Sequence, residues 1–229
     1  MKKTTIIIFF FCSIKAFAQQ DINILLAKAK ATIETVNDYK ASGRMKTNVA
    51  FLKVPIATVS VYFKKPNKLK VKSEKGISFI PKGAVSINLT NLTGTNKFTV
   101  LDAGTDKING QTVRVAKLLP QDDNSDVVLS TVYIDEATSL IKKAKTTTKD
   151  NGTYELEMTY GKYAAFGLPD KIIFSFNAKD YKLPKGITFD FDDGAAPTAT
   201  DKLKGKKGRA EITFSNYIVN KGVDDALFK

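Results

Sequence analysis

From Gly43 almost to the C-terminus, apolar and polar residues alternate with a period of two. The clearest runs are Tyr154, Leu156, Met158 and Tyr160; Ile172, Phe174 and Phe176; Ile187, Phe189 and Phe191; and Ile212 and Phe214. Between them stand Glu155, Glu157, Ser175, Thr188, Asp190, Thr213 and Ser215. Successive side chains on a strand point to opposite faces, so this pattern predicts a sheet with one aliphatic and aromatic face and one solvated face.

Strands are read at 45–52, 57–64, 68–73, 77–80, 84–90, 97–101, 112–119, 128–134, 139–147, 153–163, 171–178, 186–192 and 209–219. Turn signals such as Lys65-Pro66-Asn67, Asn109-Gly110 and Asn151-Gly152 separate them. Residues 21–40 differ: Ile22, Leu25, Leu26, Ala29, Ile33 and Val36 recur at spacings of three and four, which predicts one amphipathic helix. One helix followed by about a dozen short strands without crossover helices gives an α+β, mostly antiparallel class, a large sheet or open barrel. Residues 193–208, small and polar and then lysine-rich, are expected to form a long mobile hairpin loop.

A single helix cannot cover so wide an apolar face. Either the sheet curls until its own side chains fill it, or it leaves an apolar cavity under a partial lid.

The first twenty residues, MKKTTIIIFFFCSIKAFAQQ, combine Lys2 and Lys3, an apolar run from Ile6 to Phe11 and the small-residue site Ala16-Phe17-Ala18. This predicts a secretory signal over 1–18, cleaved after Ala18, and a single domain over 19–229. Cys12, the sole cysteine, leaves with it. The expected location is the periplasm. Lys2, Lys3 and Lys15 leave as well, so 36 basic residues fall to 33 against 23 acidic ones. Such a chain favours anionic partners, an anionic membrane surface or an acidic protein. Nucleic acid is excluded as a partner, because the chain is exported and its lysines are dispersed without a recognition helix.

The chain has no histidine and no tryptophan. The commonest general base and metal ligand are therefore missing, and no G-x-S-x-G or phosphate loop is present. Glu155 and Glu157 share a strand face opposite Leu156 and Met158, and solvated carboxylates in that position are ordinary surface groups. Asp190, Asp192 and Asp193 lack the register of a calcium loop. The expectation is no catalytic residue, no metal and no cofactor, hence no enzyme.

Two segments carry a family resemblance: Phe63-Lys64-Lys65-Pro66-Asn67-Lys68-Leu69, and the closing Phe214-Ser215-Asn216-Tyr217-Ile218-Val219-Asn220-Lys221-Gly222-Val223-Asp224-Asp225-Ala226-Leu227-Phe228. With the exported start, the helix and the strands, they make the chain similar to the LolA/LolB-type periplasmic lipoprotein carriers. The resemblance implies an incomplete barrel of about eleven strands, with the N-terminal helix and short lid helices or loops over an apolar cavity. It further implies lipoprotein acyl chains or other lipids as cargo, and an inner-membrane release complex and outer-membrane acceptor as partners of a monomer. In the carriers the second basic residue before Pro-Asn is an arginine that reaches carbonyls of the lid. Lys65 stands there without the planar fork of donors, a departure that weakens the case for a lid latch and leaves it open.

Val59, Val61, Phe63, Leu156, Met158, Phe174, Phe176, Phe189, Phe191 and Phe214 are then the expected cavity lining, and Lys64, Lys65 and Lys68 its rim, continued by Lys70 and Lys72. Two other functions fit the same residues. One is an envelope sensor that binds lipid or lipoprotein as a signal, and the other is a structural or adhesion module whose barrel is filled.

Overall fold

Asp21 starts the helix: its carboxylate accepts the Asn23 backbone N–H at 2.7 Å, and the same bond holds its pKa below the usual range. Helix α1 (Ile22–Glu34) buries Ile22, Leu25 and Ala29 on one face. It ends six residues before the expected Lys40. Thr35 turns its hydroxyl back onto the Thr32 carbonyl at 2.7 Å, and the chain enters a strand at Asp38. Val36, counted as helical from its spacing, is buried in a different cluster from α1.

The structure, a computed structural model, describes residues 20–49, 52–53, 56–66, 68–75, 98–150, 152–177 and 207–228. The signal segment, the expected strands 77–80, 84–90 and 186–192 with Phe189 and Phe191, the acids 190, 192 and 193, and nearly all of the 193–208 loop lie outside the described residues.

Eleven strands are described: β1 (Asp38–Val49), β2 (Leu52–Lys53), β3 (Ala57–Lys64), β4 (Lys68–Lys75), β5 (Phe98–Ile108), β6 (Gln111–Pro120), β7 (Val127–Asp135), β8 (Leu140–Thr148), β9 (Thr153–Thr159), β10 (Lys171–Asn177) and β11 (Lys207–Val219). They form one antiparallel sheet in the order β4-β3-β1-β11-β10-β9-β8-β7-β6-β5, with β2 attached to β1. Among the described residues β4 and β5 are unjoined ends, so the sheet is open.

β9 stops at Thr159, short of the expected 163, because Gly161 to Gly167 turn through a short 3-10 segment at Ala164–Phe166. Gly167 takes φ +65°, where a residue without Cβ is favoured. β1 begins seven residues earlier than expected, and β5 runs seven residues further, through a bulge between Asp102 and Thr105 with Gly104 at φ +79°.

Candidate functional site

The sheet register assembles the apolar face row by row. Ala116, Val132, Ala144, Leu156, Phe174 and Ala210 lie opposite one another from β6 to β11, and Thr47 of β1 closes the row. The helix α1 packs on this inner face: Ile22, Leu25 and Ala29 belong to the same buried cluster as Val132, Ile134, Leu156 and Phe174.

Eight of the ten expected lining residues fall within the described chain, and all eight face inward. Leu156, Met158, Phe174 and Phe176 lie in the cluster under α1. Val61 and Phe63 lie in a second cluster with Val36, Leu168 and Tyr217, with half-buried Phe214 at its margin. Val59 is buried with Met45 and Ala57 in a third. The rings are in contact: Phe174 and Phe176 have centroids 5.2 Å apart, Tyr39 and Phe63 stack at 5.3 Å, and Phe214 meets Tyr217 at 4.9 Å. Gly208 is a glycine because the Phe176 ring lies over it; a Cβ there would sit 2.3 Å from the ring.

Hydroxyls mark one end of this face. Ser130 and Thr146 are buried and bonded to each other at 2.9 Å, and burial pushes the Tyr154 phenol up to about 12. Thr47 Oγ1 is buried with no hydrogen-bond partner among the described residues.

Polar groups tie both ends of α1 to the sheet. At its C-terminal end Lys65 Nζ donates to the Glu34 carbonyl at 2.5 Å and to Asn37 Oδ1 at 3.3 Å. An ammonium on a flexible stem thus reaches the helix carbonyl without a guanidinium fork. Asn220 reinforces it: Oδ1 accepts the Asn37 N–H at 2.7 Å, and Nδ2 donates to the Thr35 carbonyl at 2.9 Å. At the N-terminal end Arg114, on an inward position of β6, donates to the Gln20 carbonyl at 2.8 Å and to Asp102 at 2.6 Å, while Glu136 accepts the Gln20 N–H at 3.1 Å.

The other two rim lysines turn elsewhere. Lys64 and Lys68 grip the two oxygens of Asp225 at 2.9 and 2.8 Å, and Lys68 first, then Lys64, holds that carboxyl down to about 2. They dock the C-terminal 3-10 turn Asp225–Phe228 on the β3–β4 hairpin. Glu155 points outward and pairs with Lys143 at 2.8 Å, the surface role expected of it.

Arg114 and Asn220 were missed as positioning residues. A cation in step with inward Ala116 and Leu118 is a legible signal for Arg114. Asn220 lies 185 residues from Thr35, and nothing local announces that bond.

No protein-family model matches the chain, and no curated protein does. Solved structures do. A domain named as an outer membrane lipoprotein-sorting protein from Vibrio parahaemolyticus aligns with TM-score 0.57 at 13% identity, covering 90% of this chain and 95% of that one. A LolA superfamily protein from Nitrosomonas europaea aligns with TM-score 0.57 at 11% identity, covering 90% and 96%. A DUF1329 family protein from Desulfovibrio piger gives TM-score 0.54 at 14% identity, covering 90% and 95%. At these identities the likeness is one of architecture, and it agrees with the resemblance carried by the Lys64-Lys65-Pro66-Asn67 turn and the closing strand: the chain has the LolA-like fold.

Proposed function

We propose that the chain is a periplasmic carrier that shelters acyl chains of lipoproteins or other lipids on the inner face of its open sheet and moves them toward the outer membrane. The observation that carries this reading is the inward face from Phe63 to Leu118, three apolar clusters interrupted by buried hydroxyls, with helix α1 packed on one of them.

Magnitudes favour exchange of helix for cargo. Burying a large aliphatic side chain is worth about 1.5–3 kcal/mol, so Ile22 and Leu25, with half-buried Leu26 and Ile33, together contribute about 5–9 kcal/mol to seating α1. An acyl chain of about sixteen carbons is worth about 12 kcal/mol at ~0.8 kcal/mol per CH₂. Even one such chain outweighs the helix. In this reading α1 covers the face when it is empty, and cargo displaces it; the work is binding and release, with no covalent step and no enzyme activity.

Burial of Phe63, Phe174 and Phe176 favours a second reading, a structural module with a filled core in which α1 never leaves. Native mass spectrometry of protein purified gently from an envelope extract, followed by titration with a fluorescent fatty acid, separates the two. Co-purified lipid and saturable probe binding by the folded protein support the carrier. Bare protein that takes up probe only on partial unfolding overturns it.

A further inference from the structure

Charge is segregated on the outer face, away from the apolar side. Over β8 to β11 cations and acids are matched: Lys143 pairs with Glu155, and Lys171 with Glu211 at 2.8 Å. Over β4, β3 and β1 the balance differs, and Lys64 and Lys68 share the single carboxylate of Asp225. Register and exposure place Lys40, Arg44 and Lys46 of β1 and Lys68, Lys70 and Lys72 of β4 on one outward surface, around Tyr62 of β3. Among the described residues no carboxylate pairs with Lys40, Arg44, Lys46 or Lys72. Lys40 and Lys72 instead lie over the Tyr62 ring, 5.7 and 5.8 Å from its centroid.

Lysines on an edge strand protect it from pairing with another sheet. That accounts for β4, which ends the sheet among the described residues. It does not account for β1, whose two edges are occupied by β3 and β11. Self-repulsion among these cations is a cost that an anionic partner relieves.

We propose that the outer face of β1, β3 and β4 docks on an anionic bilayer surface. Ile218, 47% exposed, lies directly opposite Lys40 on β11, and Tyr62 lies on the other side of Lys40. An exposed aliphatic and a half-buried phenol set among cations suit the boundary between headgroups and acyl chains, where an acidic peptide would offer the isoleucine nothing. The inner face and α1 then point away from that surface, free to open. This surface serves the carrier reading but does not depend on it, since docking requires no cargo.

Flotation with phosphatidylcholine vesicles, with and without phosphatidylglycerol, tests it on the mature chain. Each cation beside an anionic surface is worth roughly fivefold in partitioning, so Lys40→Gln, Arg44→Gln and Lys72→Gln together lower association with anionic vesicles about 100-fold. Lys107→Gln, Lys117→Gln and Lys145→Gln remove the same charge elsewhere, and their loss stays within tenfold. The wild-type protein ignores the zwitterionic vesicles and is released from the anionic ones as salt rises. A second readout needs no charge removal: the chain lacks tryptophan, so Tyr62→Trp shifts its emission to the blue on anionic vesicles, whereas Tyr133→Trp, on the outer face of β7, does not. Equal losses in the two triple variants, or a shift at both reporters, overturns the proposal. Binding of a polyglutamate peptide through the same three residues, with no binding to vesicles, overturns it in favour of an acidic protein. Normal docking by protein that takes up no fatty acid removes the carrier reading and leaves this one standing.

Discussion

Lys65 Nζ and the Glu34 carbonyl oxygen lie 2.5 Å apart, which joins the turn between β3 and β4 to the last turn of α1. Of the expected rim, this one lysine crosses to the helix and so helps to seat it on the sheet. Lys65→Met should speed amide exchange across residues 22–34 about fivefold to tenfold, a loss of about 1 kcal/mol, while the global denaturation midpoint barely moves. Lys65→Arg should restore protection. Exchange in α1 unchanged by the methionine would show that this bond does not hold the helix.

Asn220 combines two functions that substitution can separate. Its φ of +53° favours asparagine or glycine, and its amide holds both Asn37 and Thr35. Asn220→Gly keeps the backbone and loses the bonds, and should destabilise by about 1–2 kcal/mol. Asn220→Leu loses both and should cost about 1 kcal/mol more. Urea denaturation that ranks the two equally would remove the backbone part of this account.

Gly208 and Phe176 form a tight pair across β10 and β11. Gly208→Ala forces the ring aside and should cost about 1–3 kcal/mol. Adding Phe176→Leu to Gly208→Ala should recover part of that loss, because the shorter side chain frees the space over residue 208. A double variant less stable than the sum of the two single changes would refute the contact as the cause.

The C-terminal turn should respond to acid in a narrow range. Asp225 titrates near 2 in the folded chain, below the ~3.9 of a free aspartate, so its contribution to docking is complete above about pH 4 and is lost as pH falls through 2. Amide resonances of Leu227 and Phe228 should hold their positions at pH 4 and move toward random-coil values near pH 2. In Asp225→Asn they should be shifted already at neutral pH.

Much of the sheet was legible because its inward positions carry large residues. The run from Tyr154 to Met158 and the run from Ile172 to Phe176 alternate cleanly, and their inward sets are the ones the sequence pattern selects. β1 was harder to see: its inward positions are Tyr39, Ala41, Gly43, Met45 and Thr47, small enough in the middle to blur the period. β5 is exposed along most of its length, so little apolar periodicity is imposed on it. The helix end was misjudged for another reason. Val36 keeps the helical spacing, but the bonds from Asn220 and Lys65 to the chain at 34–38 come from 183 and 31 residues away and override it. Lys65 shows the limit of residue-type reasoning: the missing fork of donors was the right chemical distinction, and reach along the stem mattered more.

β11, the last of the described strands, lies inside the sheet, between β1 and β10, with Tyr39 opposite Val219. The two parts of the sheet, β4-β3-β1 and β10 through β5, therefore cannot be joined until residues 207–219 are available. A chain that emerges N-terminus first must wait with two open sheet edges, and its contact order is high because the first strand pairs with the last. Folding on the slow scale of milliseconds to seconds follows. So does a lasting exposure of the open β1 and β10 edges to other chains while the protein is being made.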